Sequence, residues 1–430
     1  MKLYISDYRT AFEREQLKRP YVFKGQGIFN VWQTGVKLYS DTATSAIGLG
    51  VQSPLWCDGR VATRSTENGS NAMMFAMTER ALQMMKGQTF DSPLHLQDTI
   101  LDELWSYGQK ITGQADLKKT FALNPLVPVD NAAWLLYARQ NNLTHFDQWI
   151  PEAYKPGLSA RHDRVACIPA LSFGIGMDEI KTLADQGFFI LKIKIGGPGD
   201  RQTMLENDKK FIQSIHQTIG HYETAHTPDG KLPYYFDANG RYESLEDVHR
   251  LFDFAEKIGA LGQIKVLEEP FADEFDQRVH ELTTRGPRLA ADESAHTVEH
   301  TLDRIDLGYN AIAVKSIAKT MSMTMRIAQA AFERGIPCFC ADLTVNPLLV
   351  EWNKIIAARL PAFPGWNMGL QEANGWQNYR DWPALVHKYH PAPQASWIYP
   401  QAGVFETGAE FFSASGGIFG DIPYWSVLLK

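Results

Sequence analysis

The sequence predicts an α/β protein: a (β/α) barrel that follows an α+β domain. Two observations carry this prediction. From about residue 165, short runs of β-branched and aromatic residues alternate with helix-like stretches. Charged residues end successive runs, and the intervals between Asp237, Glu268, Asp292 and Lys315 are 31, 24 and 23 residues. Each interval is close to the length of one strand–helix unit, and barrel enzymes carry their chemistry at such strand ends.

The composition indicates a two-domain globular protein. The chain has 430 residues, of which 44% are hydrophobic and 21% charged, so a large core is expected. The net charge is -7 and no long basic run is present, which argues against a nucleic acid partner. No apolar stretch reaches membrane-spanning length, and the first residues turn polar too early for a signal peptide. Four scattered cysteines give no disulfide framework, so a cytoplasmic location is expected.

Residues 1–162 lack the alternation of strand-like and helix-like runs, and they predict an α+β capping domain. Strand-like runs come first, followed by three helical candidates. The first candidate is closed by Gly87, and the third begins at Asp130, which is expected to be its N-cap. Gly-rich loops around Lys24 and Trp56 are expected to reach over the mouth of the barrel.

The barrel is expected to span residues 163–384. Beyond it, the segment 385–430 is rich in Pro, Tyr, Trp and Gly and no longer shows the alternation of strand-like and helix-like runs. This tail is expected to pack back on the first domain and complete it.

The second barrel strand carries two lysines on one side. Because side chains alternate along a strand, Lys192 and Lys194 both point into the barrel mouth. Buried ammonium groups need anions nearby, and strand-end carboxylates would supply them. We expect burial, the neighbouring lysine and a metal to lower the pKa of such a lysine toward neutrality.

Three carboxylates at successive strand ends predict a metal site. Asp237, Glu268 and Asp292 offer the oxygen ligands that Mg²⁺ prefers. Together with the lysines they suit removal of the α-proton of a carboxylate substrate. Mg²⁺ and Lys192 would stabilise the enolate, and Lys194 and Lys315 would act as base and acid on its two faces.

This set of residues resembles the enolase superfamily, and most closely its muconate-lactonizing-enzyme subgroup, which is related to mandelate racemase. The resemblance implies a (β/α)7β TIM-like barrel with an α+β capping domain. It also implies an isomerase or lyase that uses Mg²⁺ for epimerisation or racemisation, cycloisomerisation or β-elimination. The matching motifs, in strand order, are Lys192-x-Lys194, Asp237-x-Asn239, Glu268-x-Pro270, Asp292-Glu293 and Lys315.

Departures from related enzymes narrow the expected activity. The seventh strand end, CADLTVNP, lacks the His-x-Asp of mandelate-racemase-type relatives. The eighth, LQEANG, lacks the Asp-x-Asp of dipeptide epimerases. The partner is expected to be a small-molecule carboxylate, and a homo-oligomer is left open. The candidate substrate contacts are Asn239, Glu293, Asp342, Glu372, Lys24 and Trp56.

Two other functions remain open from the sequence. A lysine Schiff-base lyase could use Lys194 or Lys315 on the same barrel. A barrel without catalysis could serve as a binding or scaffold protein, although unpaired buried charges would then destabilise it.

Nearby motifs receive ordinary interpretations. Cys338 and Cys340 are expected to pack in a strand, and His296 is expected to lie at the surface.

Overall fold

Eight parallel strands form the barrel. The computed structural model describes residues 2–23, 26–42 and 44–430. The first strand is broken at Pro169, and its two halves pair with the second and the eighth strand, which closes the sheet. The predicted (β/α)7β barrel is therefore confirmed. In order, the strands are Arg164–Ile168 with Ala170–Leu171, Leu191–Lys194, Tyr234–Asp237, Ile264–Glu268, Arg288–Ala291, Ala311–Val314, Cys338–Cys340 and Gly369–Glu372.

Helices connect the barrel strands. The helix after the third strand begins where the Ser244 hydroxyl accepts a hydrogen bond from the backbone N–H of Asp247. Along the described residues, no helix combines the length and the apolar character needed to cross a membrane. The connecting helices are Met177–Asp185, Arg201–Ile219, Leu245–Lys257, His280–Thr283, Val298–Leu307, Ser316–Lys319, Met321–Glu333 and Pro347–Ala357.

The α+β part consists of a three-stranded antiparallel sheet and helices packed on one of its faces. Gly48 permits close contact with the longest helix, because a Cβ there would lie 2.2 Å from the carbonyl oxygen of Pro128. The sheet strands are Asp7–Phe23, Gln26–Tyr39 and Ser45–Gln52, and a two-stranded sheet pairs Leu3–Ile5 with Gln88–Phe90. The helices are Pro54–Cys57, Gly59–Arg64, Glu67–Met85, Pro93–Thr112, Thr120–Gln140 and Phe146–Trp149.

The predicted N-cap role of Asp130 is wrong. The helix runs over Thr120–Gln140 and passes through Pro125 and Pro128, so Asp130 lies in its middle. The buried Asp130 carboxylate instead accepts hydrogen bonds from the backbone N–H of Ser322, at 3.0 Å, and from its hydroxyl, at 2.5 Å. The residue therefore satisfies the N-terminus of a barrel helix and ties the two parts of the molecule together.

The tail after the barrel covers the other face of the three-stranded sheet. The ring of Trp425 fills the space beside Gly35, where a Cβ would lie 2.3 Å from the indole. Lys388 forms ion pairs with Glu13 and Glu15 at 2.9 and 2.6 Å. The tail also contacts the barrel, because Val404–Glu406 pairs antiparallel with the first barrel strand. The boundaries expected for the capping domain, 1–162 with 385–430, stay a prediction. A short helix, Gly375–Asn378, follows the eighth barrel strand, and the later elements are Trp382–Tyr389, Val404–Glu406, Ala409–Ala414 and Pro423–Leu428.

The cysteines of the seventh strand are part of the core, as expected. Cys338 and Cys340 are buried and form no disulfide. Burial raises the pKa of the Cys338 thiol to about 12, so the thiol stays protonated and packs as a small apolar side chain.

Candidate active site

A buried charge cluster lies at the carboxyl ends of the barrel strands. The three predicted lysines and the three predicted metal-ligand carboxylates are each at most 6% exposed. Each of these side chains comes from the last three residues of a strand, or from the residue that follows it. Parallel strands bring those ends to one edge, which is why residues far apart in sequence meet here.

Lys192 lies at the centre of the cluster. Its ammonium is 3.1 Å from Asp237 Oδ2, 2.9 Å from Glu268 Oε2 and 3.1 Å from Glu372 Oε2. The ring of Tyr235 lies 5.3 Å from the ammonium, and its hydroxyl donates a hydrogen bond to Glu268. Lys192 thus holds carboxylates from three different strands within reach of one another.

Lys194 lies beside Lys192 and shares a carboxylate with it. Its ammonium donates to Asp237 Oδ2 at 2.5 Å and to Asn239 Oδ1 at 2.8 Å. The amide of Asn239 in turn donates to Glu293 Oε1 at 3.0 Å. The predicted orientation of both lysines into the barrel mouth is confirmed by their common contact with Asp237.

Lys315 approaches the cluster from the sixth strand. It donates to Asp292 Oδ2 at 2.5 Å, and its ammonium lies 4.4 Å from the centre of the Trp56 ring. The Trp56 indole N–H points at the same carboxylate oxygen, 3.4 Å away. Trp56 therefore brings the capping part of the chain into contact with the barrel charges.

The sequence analysis missed Lys319. This residue is fully buried, and its ammonium donates to the carbonyl oxygens of Asp292, at 2.6 Å, and Ala313, at 3.3 Å. It also lies 3.6 Å from Asp292 Oδ1. The spacing of four from Lys315 is the signal that could have found it, because such residues share one face of a helix.

One group of carboxylates could hold a metal ion. Oxygen atoms of Glu268, Asp292 and Glu293 all lie within 4.8 Å of one another. Two of the three predicted ligands, Glu268 and Asp292, belong to this group, but its third member is Glu293 and not Asp237. Asp237 is nonetheless close, because its Oδ2 and an oxygen of Glu268 both contact the ammonium of Lys192. The role of Asp237 as a metal ligand stays a prediction.

The expected lowering of lysine pKa values by the protein itself is wrong for the three predicted lysines. Burial opposes the charge of each, but neighbouring carboxylates outweigh burial. Asp237, Glu268 and Glu372 raise the pKa of Lys192 well above its usual value, Asp237 raises that of Lys194, and Asp292 raises that of Lys315. The ammonium forms are therefore stabilised by the protein's own charges.

Lys319 and Glu268 behave differently from their neighbours. Burial lowers the pKa of Lys319, and Asp292 only partly offsets this effect. Burial raises the pKa of Glu268 to about 7 despite the nearby ammonium of Lys192. By contrast, burial opposes ionisation of Asp292, but the ammonium groups of Lys315, Lys319 and Lys192 together outweigh it and lower the pKa of that carboxyl. The carboxyls of the cluster therefore differ in their tendency to hold a proton.

A second pair of acids lies at the ends of the seventh and eighth strands. Glu372 accepts a hydrogen bond from the backbone N–H of Asp342 at 3.0 Å, and Asp342 accepts one from that of Asn374 at 2.8 Å. Burial, followed by the charge of Glu372, raises the pKa of Asp342 to about 7. Both acids line the same cavity as the lysines.

A cavity of about 110 Å³ joins the charge cluster to the capping part of the chain. Of the predicted substrate contacts, Asn239, Asp342, Glu372 and Trp56 line it. Glu293 is reached through Asn239. Lys24 lies outside the described residues. The contacts of these residues with substrate stay predictions.

His296 is buried, so its expected surface position is wrong. Its Nε2 lies 3.2 Å from Asp273 Oδ2, and Lys118 contacts the same oxygen at 2.7 Å. Burial lowers the pKa of His296 in spite of Asp273. The partner lies on the loop after the fourth strand, so the sequence around His296 gave no sign of the contact.

Comparison with known proteins gives matches only at the level of structure. No family model matches the sequence, and no curated protein does so. The dipeptide epimerase from Enterococcus faecalis V583, complexed with Mg and the dipeptide L-Leu-L-Tyr, is 15% identical. The comparison covers 94% of this chain and 97% of that one, with a TM-score of 0.65. An unknown member of the enolase superfamily from the same organism is 14% identical to this chain. That comparison covers 100% of this chain and 98% of the other, with a TM-score of 0.62.

The chain has the enolase-superfamily fold. A third structure with this fold is the L-talarate dehydratase from Polaromonas sp. JS666, complexed with Mg and L-glucarate. It is 15% identical to this chain, with a TM-score of 0.59, and the comparison covers 87% of this chain and 88% of the dehydratase. The enolase-superfamily fold therefore carries both epimerases and a dehydratase among the structures similar to this chain, and the fold alone does not select the reaction.

Proposed function

We propose that the protein is a Mg²⁺-dependent enzyme of the enolase superfamily that removes the α-proton of a carboxylate substrate. One observation carries the proposal: buried lysines from the second and sixth strands flank a group of buried carboxylates inside one cavity. Burying this many charges is costly unless they serve a site. The magnesium ions in the structures of two proteins with this fold support the choice of metal.

The donor set fits a hard divalent cation. Glu268, Asp292 and Glu293 are buried carboxylates with mutually close oxygens, and Asp292 Oδ1 is buried without a hydrogen-bond partner. Glu268 and Asp292 would hold the ion, with Asp237 or Glu293 as the third carboxylate. When bound, Mg²⁺ would act as a Lewis acid toward the negative charge that develops on the substrate carboxylate.

The lysines would perform the proton transfers. Lys194 and Lys315 pair with carboxylates of different strands, Asp237 and Asp292, so they can approach a substrate from two sides. One would take the α-proton after losing its own, and the other would deliver or hold a proton on the opposite face. Lys192, which contacts three carboxylates, would remain charged and stabilise the enolate oxygens.

The outcome of the reaction is left among epimerisation or racemisation, cycloisomerisation and β-elimination, because all three begin with the same enolate. Muconate-lactonizing-enzyme-like chemistry, as an isomerase or a lyase, is proposed from the Lys192-x-Lys194 and Lys315 motifs. No specific observation favours a Schiff-base lyase. The buried carboxylates that could hold a metal ion, Glu268, Asp292 and Glu293, argue against it, because Schiff-base chemistry does not need a metal.

The proposal can be tested by α-deuterium exchange. The protein would be incubated in D₂O with Mg²⁺ and a library of acid sugars, N-acyl amino acids and dipeptides, and exchange at the α-carbon would be followed by NMR. We expect exchange with at least one class of carboxylate, and its loss after chelation of the metal.

Two controls separate the alternatives. Asp292→Asn should abolish both exchange and Mg²⁺ binding, whereas Asp229→Asn, which removes a surface ion-pair partner of Lys265, should change neither. Borohydride trapping with keto acids should give no covalent adduct. A trapped adduct, or exchange that persists without metal, would contradict the proposed function.

A further inference from the structure

The cavity has two chemically different ends. The barrel end carries the lysines and acids described above. The other end is built by the hairpin of the first sheet and by the segment that leads into the first helices. Apolar side chains dominate this second wall, which we call the cap wall: Leu17, Tyr21, Ile28, Val31, Leu55 and, from the seventh strand end, Leu343.

Three polar side chains on this side of the cavity, Glu67, Ser70 and Asn71, already have partners. The Asn71 amide donates to the carbonyl oxygen of Glu67 at 2.7 Å, and the Ser70 hydroxyl donates to the same atom at 3.2 Å. Glu67 Oε1 accepts the backbone N–H groups of Phe29 and Asn30 at 3.2 and 3.0 Å. A ligand hydroxyl buried against these groups would therefore find few free partners, and an unmade hydrogen bond is costly.

The charge of the cap wall points the same way. Among its described residues, Glu67 is the charged side chain, and no lysine or arginine lines the cavity on this side. Lys24 falls outside the described residues and is addressed by the test below. If a ligand carried a second carboxylate, that group would lie near Glu67 at this end of the cavity, with no cation to pair with it.

Tyr21 connects the two ends. Tyr21 and Lys194 line the same cavity. Burial raises the pKa of the Tyr21 hydroxyl, and the positive charge of Lys194 opposes this rise. A ligand that places its carboxylate and α-carbon among the lysines would therefore extend past Tyr21 toward Leu17, Ile28 and Leu55.

We propose that the cap wall selects an apolar group, so that the substrate is a monocarboxylate with a hydrophobic side group and not an acid sugar or a dicarboxylate. This inference rests on the proposed function for the position of the carboxylate. Each methylene that the ligand buries against the cap wall should tighten binding about fourfold.

The test uses a matched series of N-acetyl amino acids and the Mg²⁺-loaded protein. Affinities for N-acetylglycine, N-acetylnorvaline, N-acetylphenylalanine, N-acetylglutamate and D-gluconate would be measured by isothermal titration calorimetry. N-acetylnorvaline, with three more carbons than N-acetylglycine, should bind at least tenfold more tightly than N-acetylglycine, N-acetylglutamate or gluconate. Tighter binding of gluconate or N-acetylglutamate, or no gain over N-acetylglycine, would overturn the inference.

Two variants locate the selection in the cap wall. Ile28→Lys adds a cation to the wall and should shift the preference toward N-acetylglutamate by at least tenfold. Phe29→Lys adds the same charge to the adjacent residue, which is 55% exposed and does not line the cavity, and should leave the preference unchanged. Equal effects of the two variants would overturn the inference. A preference for N-acetylglutamate that disappears in Lys24→Met would also overturn it.

The experiment distinguishes this inference from the proposed function. Metal-dependent α-deuterium exchange with acid sugars but not with apolar carboxylates would support the function and refute the inference. Tight binding of the apolar series without α-exchange by any compound would support the apolar wall and refute the proposed function.

Discussion

Replacing Lys192 by Met should make the metal-free protein less stable and the metal bind more tightly. In the structure, the Lys192 ammonium neutralises Asp237, Glu268 and Glu372 from about 3 Å. Removing one partner from a buried ion pair costs about 3–5 kcal/mol, so the variant should unfold at a lower urea concentration without Mg²⁺. Met has a similar length and no charge, so packing changes little.

The same substitution removes a positive charge that would repel a metal ion in this cluster. Two unit charges about 4 Å apart interact by about 4 kcal/mol at an effective dielectric constant near 20. Because about 1.4 kcal/mol corresponds to a factor of ten, recovery of only part of this repulsion should tighten Mg²⁺ binding at least tenfold. Isothermal titration calorimetry would measure the affinity, and the Mg²⁺-induced rise in melting temperature should exceed that of the wild type.

A lysine at the opposite end of the barrel provides the control. Lys265 forms an ion pair with Asp229 at 3.0 Å, away from the charge cluster. Lys265→Met should leave Mg²⁺ affinity unchanged. Unchanged or weaker Mg²⁺ binding by Lys192→Met would refute the view that this ammonium and the metal compete for the same carboxylates.

Three further predictions follow from the same structure. Lys194→Ala and Lys315→Ala should each slow α-proton transfer about 10²–10⁴-fold while Mg²⁺ binding persists, and unchanged turnover of the double variant would end the assignment. Burial raises the pKa of Asp130 from 3.8 to about 6, so the folded state keeps a proton that the unfolded state releases. The stability of the wild type relative to Asp130→Asn should therefore fall as pH rises from about 4 to 6, and a pH-independent difference in urea denaturation would contradict this. Gly35→Ala should destabilise by about 1–3 kcal/mol through overpacking against Trp425, and Trp425→Leu should recover part of the loss.

The barrel and its strand-end charges could be predicted because their signals are local. The second to sixth strands are short buried runs that end at a charged residue or just before one, so Asp237, Glu268 and Asp292 could be placed without knowing their neighbours. The parallel arrangement then brings the ends together. The burial of Lys192 and Lys315 follows from the same reasoning, and the structure agrees.

Features that depend on distant partners could not be predicted in this way. Asp130 looked like an N-cap because it precedes a helical run and Asp is a common N-cap residue, but its partner Ser322 lies 192 residues later. His296 is buried by Asp273, from a different loop. The direction in which the protein's own charges shift the pKa values of Lys192, Lys194 and Lys315 was predicted wrongly. The number of carboxylates around each ammonium is a property of the assembled site and not of one strand.

The packing of Trp425 against Gly35 has a consequence for how the molecule is made. The helix that covers this face of the sheet leaves the ribosome 390 residues after the strand beneath it. The capping part can therefore mature only once synthesis has passed the barrel, and contacts of such long separation form slowly. The cover that Trp425 gives to Gly35 therefore depends on residues that are synthesised after the whole barrel.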